Sequence, residues 1–422
     1  MVLDSNISST SKAKNISKPS NFGRKESNGM GALSTFLNLT KEAKESLGLK
    51  HTLTEIVQQP QTWLRTYERI VSLSEPLDSF LSSAGLKSGH TTPAVLLVGA
   101  GTSDYIGKSV CSLLQTEWRC DVQAVPSTDL LTNMAEHVIP GREYLWISFS
   151  RSGDSSEGVA VLDAALRDYP TIKHLIVTCN EKGQMARAFA DRDNVFSIVL
   201  DDVVNDRGLA MTSSFSNMVI VAQALAHFRG LMSYGCVVES LAGSAAATLS
   251  NAANICERAV QAGFSKACFL GTGPLKGAAI ESGLKVLELT SGRVGSLAES
   301  FLGLRHGPMS AIDNDTLVVA FFSADARRRQ YEMDLIQEIG DKGLTSKFLA
   351  VEPNTGENRL ISPENTVFLG LQNGVSDFYL TPVAVIAGQF LGLFASLKEG
   401  LRPDDPSPHG AIGRVVGHVK IH

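Results

Sequence analysis

The 422-residue chain restates itself. "AVLLVGAGTSDYIGKSV" at 94–110 returns as "KACFLGTGPLKGAAIES" at 266–282, and "EYLWISFSRSGDSSE" at 143–157 as "TLVVAFFSADARRR" at 316–329. "KHLIVTCNEKG" at 173–183 returns as "KFLAVEPNTGE" at 347–357. Each unit is a short apolar run, a turn signal and a helical stretch, in the same order both times. Strands alternating with helices predict a parallel sheet wound on both faces, so a tandem copy predicts two such α/β sheets. The copies differ where the third strand ends. The first carries Ser150, Ser152, Gly153 and Asp154 there; the second reads Ser323, Ala324, Asp325. One copy is expected to bind and the other to have diverged.

Composition narrows the classes. An apolar fraction of 43% with 37 glycines suits globular α/β architecture. A net charge of -5 gives no electrostatic footprint for nucleic acid. Six cysteines without a Cys-x-x-Cys indicate free thiols in a reducing, cytoplasmic setting. Nine histidines without a His-x-x-x-His give no metal site. The strongest membrane candidate, Met218 to Phe228, is short and interrupted by Gln223, so it reads as a buried helix and no membrane contact is expected. Residues 1–45, rich in Ser, Asn and Lys, read as a disordered tail whose first 40 residues could be removed without loss. Residues 46–240 read as the first domain with leading helices from Thr52 to Leu86, 241–400 as the second, and 401–422 as a segment closing the site.

Three constellations carry chemistry. Gly101, Thr102 and Ser103 end one strand; Ser150, Arg151, Ser152 and Ser155 end another. Either these are ordinary strand-to-helix turns, where hydroxyls are favoured as caps, or they form a cup for a phosphate ester at helix N-termini. In "AAIESGLKVLELTSG", Glu281, Lys285 and Glu288 share one helical face: a surface charge ladder, or charges lining a cleft, since the rest of the helix is apolar. In "FLGLRHGPMSAID", His306 sits in a Gly-Pro turn, as a general acid/base or as a structural histidine.

Taken in order, "GAGTSDYIG", "VPSTDLLTN", "ISFSRSGDSSE", "TCNEKG", "DRGLAMTSS", "ESGLKVLELTSG", "RHGP" and "GRVV" resemble the sugar isomerase (SIS) family. Within it they are most similar to the AgaS-type group of galactosamine-6-phosphate deaminase/isomerases, also called tagatose-6-phosphate ketose/aldose isomerases. The resemblance runs from about Thr52 to the C-terminus. It implies two SIS domains in tandem and a phosphorylated hexosamine or ketose as substrate, without a cofactor. It implies phosphate contacts at Thr102, Ser103, Ser150, Arg151, Ser152 and Ser155, and sugar contacts at Thr212 and Ser213. It implies that Glu288 carries the proton, with Lys285 as companion and His306 as the ring-opening group, donated by a partner in a homodimer or larger oligomer. One departure stands out. The hexosamine-synthesising members carry a catalytic lysine in the C-terminal loop, whereas "GLRPDDPSPHGAIGRVV" offers Asp404, Asp405, Ser407 and His409 but no lysine. Nor does a cysteine follow Met1, so glutamine is not the expected nitrogen source. The expected reaction is deamination of galactosamine 6-phosphate to tagatose 6-phosphate, with a plain aldose–ketose isomerase or a non-catalytic phosphosugar sensor as alternatives.

Overall fold

Short runs rich in Val, Leu, Ile and Phe, apolar on both faces, form the central strands, as parallel strands covered by helices require. In the first half these are β1 (Ala94–Gly99), β2 (Val122–Pro126), β3 (Tyr144–Ser150), β4 (Lys173–Thr178) and β5 (Val195–Val199). The second half supplies β6 (Lys266–Gly271), β7 (Gly295–Glu299), β8 (Thr316–Phe321), β9 (Phe348–Glu352) and β10 (Thr366–Phe368). This computed structural model describes residues 31–86, 92–353, 360–371, 375–416 and 419–422. Every pairing is parallel, and the two sheets have the orders β2-β1-β3-β4-β5 and β7-β6-β8-β9-β10. Renumbered within its own half, each sheet has the same doubly wound order, with its switch point between the first and third strands. Strands β7 and β10 had no sequence signal: "GSLAE" is half-buried and mixed in polarity, and "TVF" is three residues long.

Helices α1 (Ala32–Leu37), α2 (Lys41–Leu47), α3 (Thr52–Val57), α4 (Gln59–Ser72) and α5 (Ser74–Ser83) precede the first sheet. Its strands lead into α6 (Thr102–Trp118), α7 (Ser127–His137), α8 (Ser156–Asp168), α9 (Gln184–Arg187) and α10 (Ser213–Ala226). The long α11 (Leu231–Ala262) then carries the chain to the second sheet, with α12 (Leu275–Leu289), α13 (Phe301–Leu304), α14 (Ala326–Asp341) and α15 (Thr381–Lys398). The boundary expected at 240/241 therefore falls inside α11, which is an unbroken helix and not a linker.

The disordered-tail reading needs correction where the chain is described; its residues 1–30 lie outside the described ones. From Ala32 onward two helices form. Ala32 N–H donates to Asn254 Oδ1 at 2.7 Å, Leu33 is buried, and Phe36 packs on Phe394 at a 5.8 Å ring separation. A Ser/Lys-rich background hid these few apolar residues, whose partners on α11 and α15 are over 200 residues away in sequence.

Helices α10 and α15 are apolar nearly all round because they lie between other elements, and α10 is buried at every position. Among the described residues α15, not Met218–Phe228, is the one helix long and apolar enough to cross a membrane, and 89% of it is buried within the protein. It places the chemistry-bearing α12. Added Cβ atoms at Gly388 and Gly392 would lie 2.2 Å from Ser282 Cβ and 2.9 Å from the Lys285 carbonyl oxygen, so only glycine permits this approach.

Two outcomes follow from this packing. Leu33→Ala is expected to destabilise the fold by about 2–4 kcal/mol in urea denaturation, the usual range for a buried leucine. Gly388→Ala is expected to lower the thermal midpoint through an overpacking cost of about 1–3 kcal/mol. An unchanged midpoint would mean that α12 and α15 can part without loss.

Candidate active site

The switch point of the first sheet holds a cavity of about 110 Å³, lined by Ser103 from the start of α6 and by Ser150, Arg151, Ser152 and Ser155 after β3. That is well below the ~300 Å³ of clefts that engulf a whole drug-sized ligand, so it fits one small polar group. Gly99 and Gly101 make the first wall possible. A side chain at Gly99 would strike the Ser103 carbonyl carbon at 2.4 Å, and Gly101 turns the chain with φ 54° immediately before α6. In the second wall, Ser150 Oγ accepts the Gly153 N–H at 3.1 Å and Ser152 Oγ accepts the Asp154 N–H at 3.2 Å. Each hydroxyl keeps its own proton to donate.

Arg151 supplies the charge. Its Nη1 donates to the Leu209 carbonyl at 3.2 Å and its Nη2 to the Arg414 carbonyl, while its buried Nε–H has no hydrogen-bond partner. A guanidinium with a buried donor left open, lining a cavity beside serine hydroxyls, gives this cup the chemistry to receive an anion. Ser148, in the serine-rich end of the third strand, also lines the cup, as do Ser127 and Arg414, two polar residues that the sequence does not point to as ligands. Ser148 lies inside an apolar strand. Arg414 lies far along the chain, in a C-terminal stretch with no periodicity, and the motif "GRVV" was its only signal. Burial and the neighbouring Arg151 and Arg207 lower the Arg414 pKa.

The second half answers the same geometry from within. After β8, Ser323 Oγ accepts the Asp325 N–H at 3.0 Å and donates to Asp377. The Asp377 carboxylate also takes the Ala324 N–H at 2.7 Å and Arg328 Nη1 at 2.8 Å. Hydroxyl, turn N–H and guanidinium thus already hold an anion that belongs to the chain.

Beside the first cup stands the charged face of α12. Lys285 is fully buried, and its Nζ donates to Glu288 Oε2 at 2.6 Å, Thr102 Oγ1 at 3.0 Å and Glu281 Oε1 at 3.2 Å. Three donors meet three acceptors, which satisfies an ammonium ion. Burial would lower the Lys285 pKa, but the two carboxylates outweigh it and the pKa is raised. Glu281 is sealed: burial pushes its pKa up to about 8, with Glu288 adding to the rise and Lys285 opposing it. Glu288 alone of the pair is open, its side chain 23% exposed. Adjacent residues of α6 join the two features, since Ser103 lines the cup and Thr102 touches Lys285.

Other expected residues stand elsewhere. Thr102 faces the lysine and not the cavity, and Gly101 shapes the turn without lining it. Thr212 and Ser213 are wholly buried at the start of α10. Both N–H groups and the Thr212 hydroxyl bind the Asp206 carboxylate, and Ser213 Oγ donates to the Glu55 carbonyl. Their hydroxyls are spent on the fold, which the motif "AMTSS" gave no means of seeing. His306 lies exposed on the turn after α13, with none of its described hydrogen bonds reaching the α12 face.

No protein-family model matches the chain. Over 374 residues it is 34% identical to the D-galactosamine-6-phosphate deaminase AgaS of Escherichia coli O157:H7, covering 87% of this chain and 94% of that protein. It is 37% identical over 377 residues to AgaS of Streptomyces coelicolor, covering 88% and 95%. Among solved structures, the tagatose-6-phosphate ketose/aldose isomerase of Escherichia coli matches with a TM-score of 0.79 at 32% identity, over 88% of this chain and 96% of that one.

The two cups are expected to respond differently to loss of their arginines. Arg151→Met should weaken inorganic phosphate binding by roughly tenfold to a hundredfold, the equivalent of one or two charge-assisted hydrogen bonds. Arg328→Met should leave phosphate affinity where it was, because its partner is Asp377. Calorimetric titration of both variants reads the difference, and equal losses would refute the assignment of the cup to the first half.

Proposed function

We propose a reaction from the premise that this chain belongs to the AgaS family of tandem sugar-isomerase (SIS) domain proteins. It is an aminosugar-phosphate deaminase/isomerase that converts D-galactosamine 6-phosphate into tagatose 6-phosphate and ammonia. The observation that carries the mechanism is the pairing on α12 of an open carboxylate, Glu288, with a buried lysine whose ammonium reaches Thr102, the residue before the cup's Ser103 on α6.

The cup takes the 6-phosphate through Ser103, Ser150, Ser152, Ser155, Arg151 and Arg414. The open-chain aldehyde acidifies the hydrogen on C2. Glu288 lifts that proton and returns it to C1, while the C1 oxygen takes up a proton and the nitrogen gives one up, which leaves a C1 alcohol and a ketimine at C2; water adds there and ammonia departs. Lys285 stands ready to hold negative charge as it develops on the enolamine, a fixed cation needing no reorganisation. Glu281 stays behind, sealed, holding Lys285 from the other side. His306 opens the pyranose. Its exposed position suits service to the site of a neighbouring copy, so the working form is a homodimer or larger. On this reading the enzyme works in the cytoplasm, whose reducing conditions six unpaired cysteines suit. Aldose–ketose isomerisation shares every step up to ketimine hydrolysis, differing in the atom carried on C2. A pure phosphosugar sensor would have no use for a fully buried lysine between two acids, which is costly to keep.

Glu288→Gln is expected to bind phosphosugar as the parent does and to lose turnover by at least ~10²-fold, the range for a positioned base. Exchange of the substrate's C2 hydrogen with solvent, followed by NMR in deuterium oxide, should be lost with it. Exchange at the parent rate would put the base elsewhere.

A further inference from the structure

We propose that Glu55 is a positioning residue, setting the loop whose carbonyls aim both cup arginines at the substrate's phosphate. The proposal rests on the reading of the cup as the phosphate site. Glu55 stands on α3 and is 5% exposed. Its Oε1 accepts the backbone N–H of Arg207 at 2.5 Å and of Gly208 at 3.2 Å, gripping the middle of the loop 205–209.

Both arginines hang on that loop. Arg151 Nη1 donates to the Leu209 carbonyl at 3.2 Å. Arg414 Nε donates to the Asp206 carbonyl at 2.6 Å, and its Nη2 to Asn205 Oδ1 at 2.7 Å. These acceptors are carbonyl oxygens. A carbonyl orients a guanidinium without cancelling its charge, whereas a carboxylate partner would consume the field that the phosphate is to feel. The loop is therefore the part that aims the arginines, and its position sets where their donors point.

Its ends have separate anchors. The Asp206 carboxylate accepts the N–H groups of Thr212, Ser213 and Ser214, and Leu209 N–H donates to the Asp404 carbonyl at 3.0 Å. Glu55 holds what lies between. Gly208 presses so close that an added Cβ would lie 2.7 Å from Thr52 Oγ1 and 3.0 Å from Glu55 Oε2. Burial, helped by the nearby Asp206 and Asp404, pushes the Glu55 pKa up to about 8. Glutamine keeps the shape of this side chain and an acceptor oxygen for the two loop N–H groups. An acid buried beside two other acids is a poor choice for stability alone, which sets it apart from an ordinary loop anchor.

The test compares Glu55→Ala, Glu55→Gln and Gly208→Ala with the parent. Inorganic phosphate affinity is measured by calorimetry, and KM and kcat with galactosamine 6-phosphate. Glu55→Ala should raise both the phosphate Kd and KM about tenfold, while kcat at saturation falls by less than about threefold, the pattern of lost ground-state binding. Glu55→Gln should recover most of the affinity. Gly208→Ala keeps the carboxyl but pushes the loop off it, so it should reproduce the rise in KM; if Glu55→Ala does not fold, this variant decides. A folded Glu55→Ala or Gly208→Ala protein with parental KM and phosphate affinity overturns the proposal. So does a fall in kcat with KM unmoved, or a Glu55→Gln as impaired as the alanine. A parent protein that binds neither phosphate nor phosphosugar overturns the phosphate-cup reading itself, and the proposal with it.

Discussion

One ammonium group ties the molecule together. Lys285 Nζ has no access to water, and a charge so placed is tolerable only where every donor is met. Two of its partners, Glu281 and Glu288, lie on its own helix in the second half; the third, Thr102, opens α6 in the first. The helices are held near each other by contacts of the same closeness as those that seat α12 on α15. A Cβ on Gly277 would overlap Ser109 Oγ at 2.2 Å. The packing that joins the two sheets and the geometry of the charged cluster on α12 are therefore the same set of contacts. Loosening one loosens the other.

On the proposed reading the two halves serve different ends of one small molecule. The first contributes turns, hydroxyls and arginines held by neutral carbonyls, which suit a dianion. The second contributes a helix carrying an open carboxylate, its lysine and a sealed acid, groups that suit carbon acid chemistry. The meeting point is the start of α6, where Thr102 touches Lys285 and Ser103 lines the cup. A sugar anchored by its terminal phosphate presents its other end to whatever lies across that step.

How much of this could be read from the sequence depends on how locally each feature is encoded. The β1, β3, β4, β6, β8 and β9 strands are continuous apolar runs closed by turn residues, so they and their repeat were plain. Ser150, Arg151 and Ser152 were found because they follow such a strand directly. Glu281, Lys285 and Glu288 were found because helical spacing alone puts them on one face. What escaped was set by tertiary partners. Leu33 and Phe36 gain meaning only from α11 and α15, and β7 is a strand because β6 lies beside it. Arg414 enters the cup from a stretch with no regular structure. Thr212 and Ser213 look like ligand contacts until Asp206 is seen to claim them. The sequence shows which groups a residue has to offer; the fold decides whether they are already taken.

Asp377 shows the same rule from the side of the repeat. Held on the chain, its carboxylate is presented to Ser323, Ala324 and Arg328 at an effective concentration of ~millimolar or above, the figure for even a flexible tether, whatever the supply of free anions. The second turn is in this sense a receptor supplied with a permanent ligand. That has a bearing on how two copies of one fold come to differ at the same turn. A repeat whose binding turn is open must stay soluble and selective in two places at once, and each copy competes for the same substrate. Filling one turn with a resident carboxylate removes the competition and leaves the fold its counter-ion. It also frees the adjoining helix to change without regard to a ligand beside it.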